Sequence, residues 1–167
     1  MYIEQIEILN AWKDFLTEIE TKMQVAIKKI LNTSMGNKDI YAMFFEYQFD
    51  YMDIAFFAID NKSNVLVRDL DTINNEINCK YLFPNELFDK QLEIIDKYEE
   101  EDDNFDDFTD EYYEKKEEIF KEWFILCWDK IKGEYNSIPS AFFSIHDTRY
   151  KINLDTKEEV TDDDIIK

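Results

Sequence analysis

Glycine, proline, histidine, cysteine and arginine are all scarce in this chain, and each shortage closes a class of chemistry. Glycine occurs only at Gly36 and Gly133, which excludes a P-loop or a Gly-x-Gly-x-x-Gly nucleotide turn. With proline only at Pro84 and Pro139, obligate turn residues are few, so long helices and simple hairpins fit better than a many-stranded sandwich. One histidine, His146, and two cysteines, Cys79 and Cys127, cannot supply a zinc site. The cysteines stand 48 residues apart in mixed or apolar surroundings, so they read as reduced and mostly buried, which points to a reducing compartment. The N-terminus has no basic leader followed by an apolar run, so no signal peptide is expected. No segment reaches the roughly 18 apolar residues that a membrane span needs. The expectation is a cytoplasmic protein without a membrane, metal or cofactor partner. Arginine only at Arg68 and Arg149, beside abundant Ile, Asn, Lys, Phe and Tyr, points to an AT-rich bacterial genome.

What the chain has instead is acid. It holds 39 Asp and Glu against 19 Lys and Arg, a net charge of −20, in 167 residues that are 45% hydrophobic and 16% aromatic. That apolar content supports one folded domain, residues 1–167, despite the charge. The charge itself repels nucleic acid and anionic membrane and attracts basic partners. Half of it lies in Glu99–Glu118, where twelve acids face only Lys115 and Lys116, a net −10. Phe105, Phe108, Tyr112 and Tyr113 are set among Asp102, Asp103, Asp106, Asp107, Asp110, Glu111 and Glu114.

Periodicity organises the rest. Residues 2–32 place Ile6, Leu9, Trp12, Leu16, Ile19, Met23, Ile27 and Ile30 on one helical face, ending near Gly36. IYAMFFEYQF (40–49) and MDIAFFAID (52–60) read as a hairpin, and VLVRDL (65–70) as a third strand after a turn at residues 61–64. Residues 71–83 are ambiguous between loop and short helix. A helix starts at Pro84 and runs to about Tyr98, followed by an acidic helical link over about 99–118. A second helix emerges near Phe108 and continues to Gly133. AFFSIHD (141–147) and RYKINLD (149–155) form a last hairpin, and Thr161 followed by three Asp caps a final helical turn. The fold class is α+β: an antiparallel sheet, meander plus C-terminal hairpin, packed against long amphipathic helices. No internal sequence repeat is present.

Candidate chemistry is thin outside the acidic stretch. An EF-hand loop begun at Asp102 fits at Asn104 and Asp106, then fails with Asp107 where Gly is required and Tyr113 where the bidentate Glu belongs. Ser144 and His146 share a strand face, but Asp147 points away and no Gly-rich elbow surrounds the serine. Trp12, Trp123 and Trp128 fall on apolar stripes and read as core.

The acidic stretch is either a solvated link or a surface for a basic partner. Like charges one turn apart disfavour a helix there by roughly 0.2–0.5 kcal/mol each. A partner rich in Lys and Arg repays that through steered association and charge-assisted hydrogen bonds, with the interleaved aromatics as anchors. As a helix the stretch spans about 30 Å, about one net charge per 3 Å, close to the ~3.4 Å phosphate spacing of one DNA strand.

The order of elements, from the Tyr2–Asn32 helix and the Ile40–Asp60 hairpin to the terminal FFSIHDTRYKINLDTKEEV, resembles bacterial immunity proteins of polymorphic toxin systems, the YezG-like group. The resemblance implies a non-enzymatic inhibitor that binds a cognate toxin, commonly a basic nuclease, and blocks its active site. On that view Asp102, Asp103, Phe105, Asp106, Asp107, Phe108, Asp110, Glu111, Tyr112, Tyr113 and Glu114 form the contact, in a monomer or homodimer that binds no nucleic acid directly. Two other classes stay open: a phage-type DNA mimic (anti-restriction or anti-CRISPR), and an enzyme whose pocket would hold His146 beside a carboxylate.

Overall fold

A computed structural model describes residues 3–34, 36, 39–48, 53–69, 71–73, 89–90, 92–94, 105–145 and 148–165. Its first element is the helix α1, Ile3–Ser34, 32 residues long. Ile8, Leu9, Trp12, Leu16, Ile19, Met23, Ala26, Ile27, Ile30 and Leu31 are buried along it, the face that the spacing predicts, except that Ile6, near the start of the helix, is exposed.

Three strands follow, β1 (Ala42–Gln48), β2 (Asp53–Ile59) and β3 (Val65–Asp69), as the expected antiparallel meander. The β2–β3 turn is held by Asp60, whose carboxylate accepts hydrogen bonds from the Lys62 and Asn64 amides at 2.7 and 2.9 Å. These bonds, with the Asn64 side chain first, hold its pKa below the usual carboxylate value. Thr72 and Ile73 are helical, as are residues 89–90 and 92–94 within the helix expected after Pro84. The remaining residues of those two predictions, and of the β1–β2 connection, lie outside the described residues.

The second long helix, α2, covers Phe105–Lys132, 28 residues. It begins one turn before the expected Phe108, so the described part of the acidic stretch is the first half of a continuous helix rather than a link. The like-charge penalty is overcome because the opposite side of α2 is a core face. Tyr112, Lys116, Phe120, Phe124, Cys127 and Ile131, at spacings of three and four, are all buried.

The chain ends with β4 (Ser140–Ile145), β5 (Lys151–Asn153), the short β6 (Glu159–Val160) and the helical turn α3 (Asp162–Ile165). Asp164 reaches back to α3's start, its Oδ2 accepting from both the Thr161 amide and the Thr161 hydroxyl at 2.8 Å. The strand β6 extends the C-terminal hairpin by one and was not expected from the sequence.

All six strands form one sheet in the order β3-β2-β1-β4-β5-β6. Every pairing is antiparallel except the central one, β1 with β4, which is parallel and sets Met43 against Ala141 and Phe45 against Phe143. The sheet is therefore mostly antiparallel, as expected, with one parallel pairing at its centre that was not foreseen. Parallel neighbours need a long crossover, and the chain between β1 and β4, which includes α2, supplies it. Among the described residues, one long helix followed by three strands occurs twice.

Both helices pack on one face of the sheet. The pleat turns Met43, Phe45 and Tyr47 toward them, beside Phe56, Ile54 and Phe143. Tyr47 stacks on Phe120 at 4.6 Å between ring centroids, Phe124 on Phe143 at 4.6 Å, and Trp128 meets Phe45 edge-on at 5.9 Å. Contacts between the helices advance together along both chains. Trp12 meets Tyr112 and Phe120, Glu20 pairs with Lys130 at 2.6 Å, and Lys28 with Glu134 at 2.6 Å, so α1 and α2 run in the same direction. The other sheet face carries a smaller cluster, Ala42, Phe44, Ile59, Phe142 and, from α3, Ile165. Trp12, Trp123 and Trp128 are core residues, as expected. Cys127 is a free, buried thiol whose pKa burial pushes up to about 12. Cys79 lies outside the described residues.

Candidate functional site

The face of α2 that turns from the core is a ridge of carboxylates. Asp110, Glu111, Glu114, Glu118 and Glu122 are all exposed. Glu111, Glu114, Glu118 and Glu122 follow one another by three or four residues, so they stand one turn apart, about 5 Å per step. Lys115 offsets the ridge only loosely, its Nζ 3.9 Å from Glu118 Oε2. Leu126, one turn beyond Glu122, is 55% exposed and gives the ridge an apolar end.

Beneath the ridge, where α2 meets α1, three polar side chains are locked together. Trp12 Nε1 donates to the Tyr112 hydroxyl at 3.2 Å, and Lys116 Nζ lies 4.7 Å from the centre of a Trp12 ring. Lys116 is only 3% exposed, and burial lowers its pKa to about 7, against a smaller pull from Glu117. Burial raises the Tyr112 pKa, with the Trp12 hydrogen bond opposing it.

One aromatic anchor expected in the acidic stretch, Tyr112, is thereby corrected. Tyr112 is 2% exposed, so it is a core residue and cannot anchor a partner. Tyr113 is half-buried against the same core, its ring edge-on to Tyr112 at 5.4 Å. Helical geometry explains this: Tyr112 is followed at four-residue steps by Lys116, Phe120 and Phe124, all inward. Asp110, Glu111 and Glu114 are exposed as expected. Phe105, Asp106, Asp107 and Phe108 are in α2, and Asp102 and Asp103 lie outside the described residues, as does His146. Ser144 is buried, and the pleat places it with Phe142 and Phe44 on the sheet face away from α2.

Sequence reasoning missed a cleft on the sheet side of the ridge. It measures about 270 Å³ and opens between α2 and the β4–β5–β6 end of the sheet. Phe143, Ile145 and Ile152 line its floor, and Tyr150, 55% exposed, stands at it from the β4–β5 loop. Its walls carry Glu114, Glu117 and Glu118 from α2 and Glu159 from β6, against the one cation Lys121, a net −3. Glu117 is half-buried there, and burial first, then the neighbouring Glu114, raises its carboxyl pKa. Glu117 and Glu159 resemble any other acid in a chain with 39 of them. Their only signal is position, Glu117 at the edge of the α2 core stripe and Glu159 on the strand that sequence reading left out.

Among the described residues no group of three or more His, Cys, Asp or Glu is placed to hold a metal ion. Nor is any helix among them long and apolar enough to cross a membrane. No protein-family model matches the chain, and neither a curated protein nor a solved structure matches it significantly.

Proposed function

We propose that this chain is a non-catalytic inhibitor of the bacterial cytoplasm that binds one basic protein, a toxin of the nuclease type, and covers its active site. The observation that carries the reading is the carboxylate ridge of α2. Setting Glu111, Glu114, Glu118 and Glu122 one turn apart costs the free helix roughly 0.2–0.5 kcal/mol per adjacent pair. The core gains nothing from it, because these side chains face water. A partner whose Lys and Arg bind nucleic acid gains steered association and loses access to its substrate. With Tyr112 in the core, the apolar contacts of such an interface fall to Leu126 and Tyr150, each 55% exposed and flanking the acids.

The test begins with affinity capture from lysate of the source cells at low and at high salt, with identification of what is bound. Association of the captured protein is then timed against wild type and against a variant carrying Asp110→Lys, Glu111→Lys and Glu122→Lys. The expected result is one basic protein, released by salt and inactive in the complex. The triple reversal should slow its association at least about tenfold while the melting curve stays unchanged. A partner that associates equally fast with the variant in low salt removes the ridge from the interface. A partner that keeps its activity when bound removes inhibition.

A further inference from the structure

The cleft beside α2 deepens that reading, and on its basis we propose that it is the receptor for a single arginine side chain of the basic partner. Size, donors and floor all point the same way. At about 270 Å³ the cleft falls just below the ~300 Å³ at which small-molecule pockets begin, so it suits one side chain rather than a cofactor.

Its carboxylates do not converge as a metal site requires, although four of them line it. Acids spread around a wall suit a wide, planar, delocalised cation, and guanidinium is that cation among protein side chains. The floor of Phe143, Ile145 and Ile152 accepts the methylene stem, and the exposed Tyr150 ring offers a face for the guanidinium to stack on. Charge complementarity completes the argument. The cleft walls carry a net −3, and Lys121 leaves the half-buried Glu117 still opposed by Glu114. An entering cation relieves that repulsion in a partly desolvated place, where it counts for more than on the open ridge.

The experiment uses the full chain with ¹³C-labelled isoleucine methyl groups and two probes. One is the peptide Ac-Gly-Gly-Arg-Gly-Gly-NH2, and the other is its counterpart with citrulline, a neutral isostere, in place of arginine. The expected result is that the Ile145 and Ile152 methyls shift with the arginine peptide, with Kd near about 1 mM at low salt. The citrulline peptide should bind at least about tenfold more weakly. Glu117→Gln and Glu159→Gln should each weaken the arginine peptide about three- to tenfold. A control pair, Asp14→Asn with Glu18→Gln, removes two charges from the exposed side of α1, outside both the cleft and the ridge, and should change binding less than about twofold.

Equal shifts with citrulline overturn the proposal, as does a control pair that weakens binding as much as the cleft variants, since attraction would then be diffuse. The parent reading fails separately. If the captured basic protein binds Glu117→Gln and Glu159→Gln as it binds wild type, the cleft is wrong and the inhibitor reading stands. If the arginine peptide fills the cleft but no basic protein is captured at either salt, the cleft stands and the inhibitor reading falls.

Discussion

Replacing Lys116 by methionine should make the protein more stable. The ammonium is 3% exposed, and its pKa falls from 10.5 in the unfolded chain to about 7 in the fold. A lowered lysine pKa works against the folded state. Below about pH 7 both states hold the proton and the whole penalty applies; between about 7 and 10.5 the unfolded chain holds more protons, so stability rises with pH. At pH 7 the penalty amounts to about 4 kcal/mol. A methionine of similar length fills the same space beside Trp12 with no charge to desolvate, so Lys116→Met should gain about 2–4 kcal/mol at pH 7. The window for observing the linkage closes near pH 9, because Cys127 and Tyr112 have raised pKa values and their unfolded forms lose protons from about pH 9 and 10 onward. Urea unfolding at pH 7.0 and 8.5 reads the effect: wild type should gain stability, on the order of 1–2 kcal/mol, across that interval and the variant almost none. A variant less stable than wild type at pH 7, or one that keeps the wild-type slope, would refute burial as the source of the shift.

Three further stability predictions test the helix pair and the loops. Tyr112→Phe removes the hydroxyl that accepts from the buried Trp12 Nε1, so urea unfolding should show a loss of about 1–3 kcal/mol. Ser63 holds φ at 64° in the β2–β3 turn, so Ser63→Gly should gain up to about 1 kcal/mol in the same assay. Lys157 has a similar φ of 66°, yet its Nζ bonds Asp129 at 2.7 Å, so Lys157→Gly should gain less than Ser63→Gly or lose stability.

The elements that local pattern defines were legible, and those that distance defines were not. The spacing from Ile6 to Ile30 marks α1, and the alternation through Met43, Phe45 and Tyr47 marks a strand with one face in the core, because both patterns repeat within a few residues. The parallel union of β1 with β4 has no local sign beyond AMFF and AFF, two runs apolar on both faces, as a central strand requires. In the acidic stretch, counting charge hid the helix register. Lys116 reads as one of two counter-charges in a list, but four residues after Tyr112 and four before Phe120 it belongs to the core stripe. The cleft was out of reach for another reason. Glu117 and Glu159 are 42 positions apart, and only the packing of α2 beside β4 brings them to one cleft.

The parallel seam at the centre of the sheet also dictates an order of assembly. Met43 pairs with Ala141, 98 residues later in the chain, and no earlier described segment takes that place. During synthesis at about 5–20 residues per second, the meander β1–β2–β3, complete once Asp69 is made, therefore stands for about 4–14 s with its β1 edge open. That edge reads AMFFEY, apolar and rich in aromatics, the kind of strand that recruits a second copy of itself. The chain that emerges while β1 waits includes Glu99–Glu118 with its net −10. Nascent copies meeting at that stage repel one another before their open edges can join. The acids of Glu99–Glu118 thus oppose edge-to-edge pairing while the sheet is still incomplete.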